Sequence, residues 1–171
     1  MKSALKGFTL IELVIYIGVL SILLTAMSAL FTSIIDVQFE STSTSSVNQD
    51  GRYLLSKLLY DVKSITNVPP DGIVVPATAG VQSTTMQLTI NSINYTYSLD
   101  SNNNLQVVNN STGVSSVLNS YDTSVSGLTF TRLGNGGTSD TVRVSYTVTS
   151  RVTERNKVKE TKTFTTTLGR Q

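Results

Sequence analysis

Glu12 is the residue whose position most needs a chemical explanation. It stands inside an apolar run, and no charged residue follows it until Asp36. A carboxylate in hydrocarbon costs about 2.5–3.5 kcal/mol on insertion scales, so an acid kept there is expected to have a pairing partner. Two other groups have spacings that suggest chemistry. Asp100, Asn102 and Asn104 alternate as the opening of a calcium loop does, but Leu105 stands where that loop needs Gly and Ser111 where it needs a bidentate acid. A plain turn is expected. Arg151, Arg155, Lys157, Lys159 and Lys162 have the charge to meet phosphate, yet Phe164 is their one interleaved aromatic, and lysines on an edge hairpin also guard against aggregation. The chain has no Cys and no His, which removes thiolate and imidazole ligands and the usual general base near neutral pH. No nucleophile–base–orienter set can be assembled and no Gly-rich phosphate loop follows a strand. The expectation is a non-enzyme with no cofactor and no metal site.

The element that must position Glu12 is a helix. The 23 uncharged positions from Leu13 to Ile35 would span roughly 35 Å as a helix, enough for a hydrocarbon core of about 30 Å. The run exceeds the apolar core of a secretory signal peptide, and no small-x-small site follows it. A plain membrane anchor explains the length but leaves Glu12 unpaired. After Asp36 the chain turns polar, and Ser41 to Ser46 has weak helix propensity, so it is expected to be helical only through its neighbours. From Gly51, the residues Leu54, Leu55, Leu58, Leu59, Val62 and Ile65 fall on one helical arc, with Lys57, Tyr60, Asp61 and Ser64 assigned to the other side. Pro69 and Pro70 end the pattern. A helix continuous from Phe8 to Thr66 would contain 59 residues and measure about 88 Å.

Beyond Gly72 the period changes from 3.6 to 2. Strands are expected at Ile73–Val75, Thr85–Asn91, Ile93–Leu99, Leu105–Val108, Val114–Leu118, Leu128–Leu133, Thr141–Arg151 and Val158–Leu168. Asp100 to Asn104 and Gly134 to Gly137 are turns, and the last two strands pair across Glu154 to Lys157. Ser and Thr number 48, and Thr is concentrated in the alternating stretches, which predicts a hydroxyl-rich sheet face. The fold class is α+β, with the second half of a long helix packed on an antiparallel sheet. Seven basic residues lie between Arg143 and Arg170 against Glu154 and Glu160, but the chain's formal charge is only +2 and gives no support for nucleic-acid binding.

The octet Lys6-Gly7-Phe8-Thr9-Leu10-Ile11-Glu12-Leu13 resembles the processing site of type IV prepilins and pseudopilins. The resemblance implies residues 1–7 as a leader, 8–35 as a transmembrane and filament-core helix, 36–66 as its amphipathic continuation, and 67–171 as a β-rich domain. It implies that a prepilin peptidase cuts after Gly7 and methylates Phe8, and that Glu12 meets the α-amino group of a neighbouring subunit. Lys2 and Lys6 suit a leader held on the cytoplasmic side, and without them the basic and acidic residues balance at 11 each. The implied partners are the peptidase, other pilin subunits, the inner-membrane assembly platform and, before assembly, membrane lipid. The implied location is the cytoplasmic membrane, with the C-terminal domain outside, and then a pilus or pseudopilus. The segment from Gly51 to Val62 is similar to minor pilins of the W type and pseudopilins of the J type. Many major pilins kink this helix with a proline, whereas no proline precedes Pro69 here. Calcium occurs in some pseudopilins, but the failed loop at Asp100 argues against it in this chain. The expected function is a structural subunit of a type IV pilus or type II secretion-like filament. The alternatives are a competence-type pilin whose β domain binds DNA or a surface ligand, and a tethered domain that never assembles.

Overall fold

Thr9 starts the structure's only helix among the described residues. In this computed structural model, which describes residues 7–65, 71–134, 141–152 and 159–169, the Thr9 carbonyl accepts from Leu13 N at 3.2 Å and its hydroxyl lies 3.4 Å from Glu12 N. The helix α1 then runs Leu10–Lys63, 54 residues. The expectation of one long helix is met, and Ser41 to Ser46 is helical within it. Its predicted last residue, Thr66, lies outside the described residues.

The chain divides into two compact units, the first ending at Gln38 and the second beginning at Phe39. The first unit is helical from Leu10 onward. Its apolar side chains are exposed, and its most apolar 18-residue window has a mean hydropathy of 2.4 with none of that window buried. By length and composition this helix can cross a membrane.

The second unit packs the rest of α1 against nine strands: β1 (Gly72–Val75), β2 (Gln82–Ser83), β3 (Met86–Ile90), β4 (Ile93–Leu99), β5 (Leu105–Asn109), β6 (Ser115–Val117), β7 (Thr123–Arg132), β8 (Thr141–Ser150) and β9 (Thr161–Gly169). The α+β class holds, but the strands form two antiparallel sheets where one was expected. One has the order β1-β3-β4-β5-β6 and the other β2-β7-β8-β9. The sequence reading missed β2 and the first half of β7. Thr123 to Gly127 is rich in Ser and Gly and sends Val125 inward as its one large apolar side chain, so its strand period is faint. Gly127, at φ 60, sits where the β7–β8 register shifts between Ser126 and Thr129. The predicted turns at residues 135–137 and 154–157, and the predicted strand start at Val158, lie outside the described residues.

The buried face of α1 is Ser43, Val47, Asp50, Gly51, Leu54, Leu58, Asp61 and Val62, a 3–4 spacing that points one stripe at both sheets. Met86, Leu88, Tyr97 and Leu105 meet it from the first sheet, and Val125, Phe130, Val144, Tyr146 and Leu168 from the second. Two details of the expected helix are corrected. Leu59 is 37% exposed, and Asp61, assigned to the polar side, is buried. At three residues after Leu58 and four before Ile65, Asp61 belongs to the core stripe by simple helical geometry.

The buried acids are satisfied by donors that fasten the helix to the sheets. The Tyr97 hydroxyl donates to Asp61 Oδ2, and Lys57 Nζ lies 2.7 Å from its other oxygen. Asp50 Oδ2 accepts from Ser120 N at 2.9 Å, from Ser120 Oγ at 2.7 Å and from the Thr123 hydroxyl. Tyr146 donates to Gly51 O at 2.7 Å. The outward face of the second sheet carries the hydroxyls predicted from composition. Four rungs run across it: Ser124–Thr149–Thr161, Ser126–Thr147–Thr163, Thr129–Ser145–Thr165 and Thr131–Arg143–Thr167.

Burial holds the phenols of Tyr97 and Tyr146 well above their usual pKa, and for Tyr97 the hydrogen bond to Asp61 pushes in the same direction. A raised folded-state pKa means that the fold favours the neutral phenol. That stability is complete below the unfolded value near 10 and is lost as pH rises beyond it. The urea midpoint of the full chain in detergent should therefore fall from about pH 10 to about pH 12, each phenol contributing up to about 1.4 kcal/mol per pH unit. Tyr146→Phe should flatten the slope; a midpoint unchanged across that range would contradict the assignment.

Candidate functional site

The predicted site residues lie together at the start of α1. Gly7 is exposed, and a Cβ built on it would meet nothing within 4 Å. Phe8 is 75% exposed and touches Tyr16 edge-on, with ring centroids 5.9 Å apart and planes at 70°. The Gly7–Phe8 bond thus sits in non-helical chain directly ahead of a capped helix, where an enzyme can reach the backbone. Glu12 is half-buried in the first helical turn, where the positive end of the helix dipole favours a carboxylate.

Sequence reasoning overlooked the cap. Thr9 and Glu12 stand three apart as in a Thr-x-x-Glu capping box, the first hydroxyl facing the N3 amide. It also overlooked a stripe at strict 3–4 spacing, Gly18, Ser21, Thr25, Ser28 and Thr32. The hydroxyls of Ser21 and Thr25 donate to the carbonyls four residues back, both at 2.8 Å, and Thr32 does so at 3.2 Å. Their polarity is met within the helix, and what remains outward is a narrow, small-residue face of the kind that lets apolar helices approach closely.

Of the two other candidate groups, Asp100, Arg151 and Lys162 are engaged by the fold. Asp100 Oδ1 accepts from Asn102 N and Asn104 N at 2.8 Å each, and Oδ2 accepts from Asn104 Nδ2 at 2.9 Å. Those bonds, led by the one from the Asn104 backbone, hold its pKa below the usual range, as in a closed Asx turn. Arg151 is a structural clamp. Its Nε donates to Thr123 O at 2.8 Å and its Nη2 to Asn102 O at 3.0 Å and Asn104 Oδ1 at 2.7 Å. Lys162 lies on the helix side of β9, 2.7 Å from Asn48 Oδ1 and over the Phe164 ring. Lys159 is exposed, while Arg155 and Lys157 lie outside the described residues.

Residues 3–28 match the family model of the prokaryotic N-terminal methylation motif. The motif supports a type IV prepilin-like protein, and the apolar helix fits a membrane-anchored one. No curated protein matches the chain, and neither does any solved structure.

Proposed function

We propose that this prepilin-like chain is a structural subunit, a minor pilin or pseudopilin, of a type IV pilus or type II secretion-like filament. Its work is assembly and not catalysis. A prepilin peptidase cuts after Gly7 on the cytoplasmic face and methylates Phe8, the assembly platform draws the subunit from lipid, and α1 joins the helices of other subunits. The observation that carries this reading is the exposed Gly7–Phe8 bond immediately before a capped apolar helix with Glu12 in its first turn. The absence of any proline before Pro69 supports the minor class.

Glycine at the cut has a steric reason, since a residue without Cβ lets the backbone enter a narrow catalytic groove. Coexpression with a prepilin peptidase should yield a chain beginning at methylated Phe8 by mass spectrometry. Gly7→Val should stay uncut and remain in the membrane fraction. An intact Met1 in assembled filaments would overturn the reading.

A further inference from the structure

We propose that the cleft where the turn after β4 meets the turn before β7 binds a neutral saccharide, a function beyond assembly that does not depend on the filament reading. The cleft measures about 480 Å³, within the roughly 300–1,000 Å³ of small-molecule sites, and Asn102, Asn119, Tyr121 and Arg151 are in its lining. Three of its groups are left uncommitted by the fold. The Arg151 guanidinium spends Nε on Thr123 O and Nη2 on Asn102 O and Asn104 Oδ1, while Nη1 has no partner among the described residues. The Asn102 backbone is bonded to Asp100 and Arg151, but its side-chain amide has no such partner. Tyr121 is 88% exposed, the highest value among the large apolar and aromatic side chains of the described residues.

These groups are nevertheless held in place. Buried Asn119 accepts from Leu105 N at 2.8 Å and donates to Ser120 O at 3.1 Å and Thr123 O at 3.0 Å, so one amide joins the two turns. Ser120 gives its amide and hydroxyl to Asp50, and Arg151 N donates to Asp122 O at 2.7 Å, which fixes the backbone on both sides of Tyr121. A ligand entering the cleft therefore meets a preorganised lining and pays little to order it.

The lining selects the ligand class. Arg151 Nη1 can only donate, the Asn102 amide can donate and accept, and the Tyr121 ring and Val117 methyls add apolar surface. A pyranose matches this mixture, because its hydroxyls both donate and accept around a ring whose C–H face is apolar. An anion fits worse. Asp100 Oδ2 accepts at 2.9 Å from Asn104, the residue that Arg151 also engages, so the guanidinium already has an acid beside it, and Asp122 follows Tyr121 in the chain. A phosphate or carboxylate placed there would meet like charge, which disfavours nucleic acid and acidic glycans.

The full chain, held in a polyoxyethylene detergent that carries no sugar headgroup, is applied to an array of neutral glucosides, galactosides and chitooligosaccharides beside sialylated glycans, sulfated glycans and single-stranded DNA. Retention on neutral glycans is expected, and the Kd of the best retained one should rise about tenfold in Tyr121→Ala. Asn102→Ala removes an amide that the fold does not use, so it should raise the Kd about threefold to tenfold at an unchanged melting temperature. Tyr60→Ala, at another exposed tyrosine, should bind like the parent. The inference is overturned by no retention on any neutral glycan, by retention confined to the anionic glycans or DNA, or by a Kd that stays the same in Tyr121→Ala and Asn102→Ala.

Discussion

Gly51→Ala is expected to destabilise the folded C-terminal unit by about 2 kcal/mol, even though alanine is worth about 1 kcal/mol more than glycine inside a helix. A Cβ at residue 51 would lie 2.0 Å from Phe164 Cζ, 2.1 Å from Cε2 and 2.6 Å from Cε1. The ring has nowhere simple to go. It stacks on Tyr146 with centroids 5.7 Å apart at 22°, and Tyr146 is itself tied back to Gly51 O at 2.7 Å. Moving the ring therefore disturbs the hydrogen bond that holds the helix to β8. Overpacking of this kind costs about 1–3 kcal/mol, and the depth of the overlap selects the upper end. For a chain of this size the melting temperature should drop by about 4–8 °C in detergent. Phe164→Leu combined with Gly51→Ala should recover part of the loss, a non-additivity that identifies the ring as the obstacle. A rise in melting temperature for Gly51→Ala alone would show that helix propensity outweighs the contact.

Gly51 also marks what the sequence leaves illegible. Periodicity announces that Leu54, Leu58 and Val62 share a face, because burial repeats every three or four residues. It does not announce which partner comes close enough to demand a missing Cβ, since Phe164 lies more than a hundred positions away. The same limit explains the second sheet. Each strand's alternation tells which side chains turn inward, but which strands exchange hydrogen bonds depends on long-range pairing, so β6 and β7 could be read as neighbours although they belong to different sheets. Asp50 and Asp61 are a different case. Both occupy core-stripe positions in the sequence, and a carboxylate there predicts a buried donor. Tyr97, Ser120 and Thr123 are those donors.

At the N-terminus the methylation motif is legible in the sequence, because its residues are close together. Gly7, Phe8 and Glu12 fall within six residues, and the cap from Thr9 and the stripe from Gly18 to Thr32 are local patterns too. Those last two were passed over because hydropathy alone was read through the apolar run. The clamp at Arg151 is illegible for the opposite reason. Its charge is visible in the sequence, but the three oxygens that engage it come from Thr123, Asn102 and Asn104, brought together only by the fold.

Glu12→Gln and Glu12→Leu are both expected to be inserted and cleaved after Gly7, yet to be recovered in filaments about a hundredfold or more below the parent. In the proposed processing, cleavage after Gly7 would create an ammonium at Phe8, four residues before Glu12. Both charges then lie near the start of one helix, whose dipole favours the acid and disfavours the amine. In the proposed assembly, an incoming subunit brings its amine against the Glu12 of an earlier one, and each charge gains a partner in an apolar setting. Leaving one such charge unpaired costs about 3–5 kcal/mol relative to the pair, enough to decide entry. The capping geometry supplies a competing explanation and also the means to separate the two. Glutamine can replace glutamate at the third position of a capping box, whereas leucine cannot. If Glu12 serves only the cap with Thr9, Glu12→Gln should assemble like the parent and Glu12→Leu alone should fail. If it serves as the charged partner, both variants fail while α1 stays helical by circular dichroism. Assembly of Glu12→Leu at the parent's level would exclude both roles.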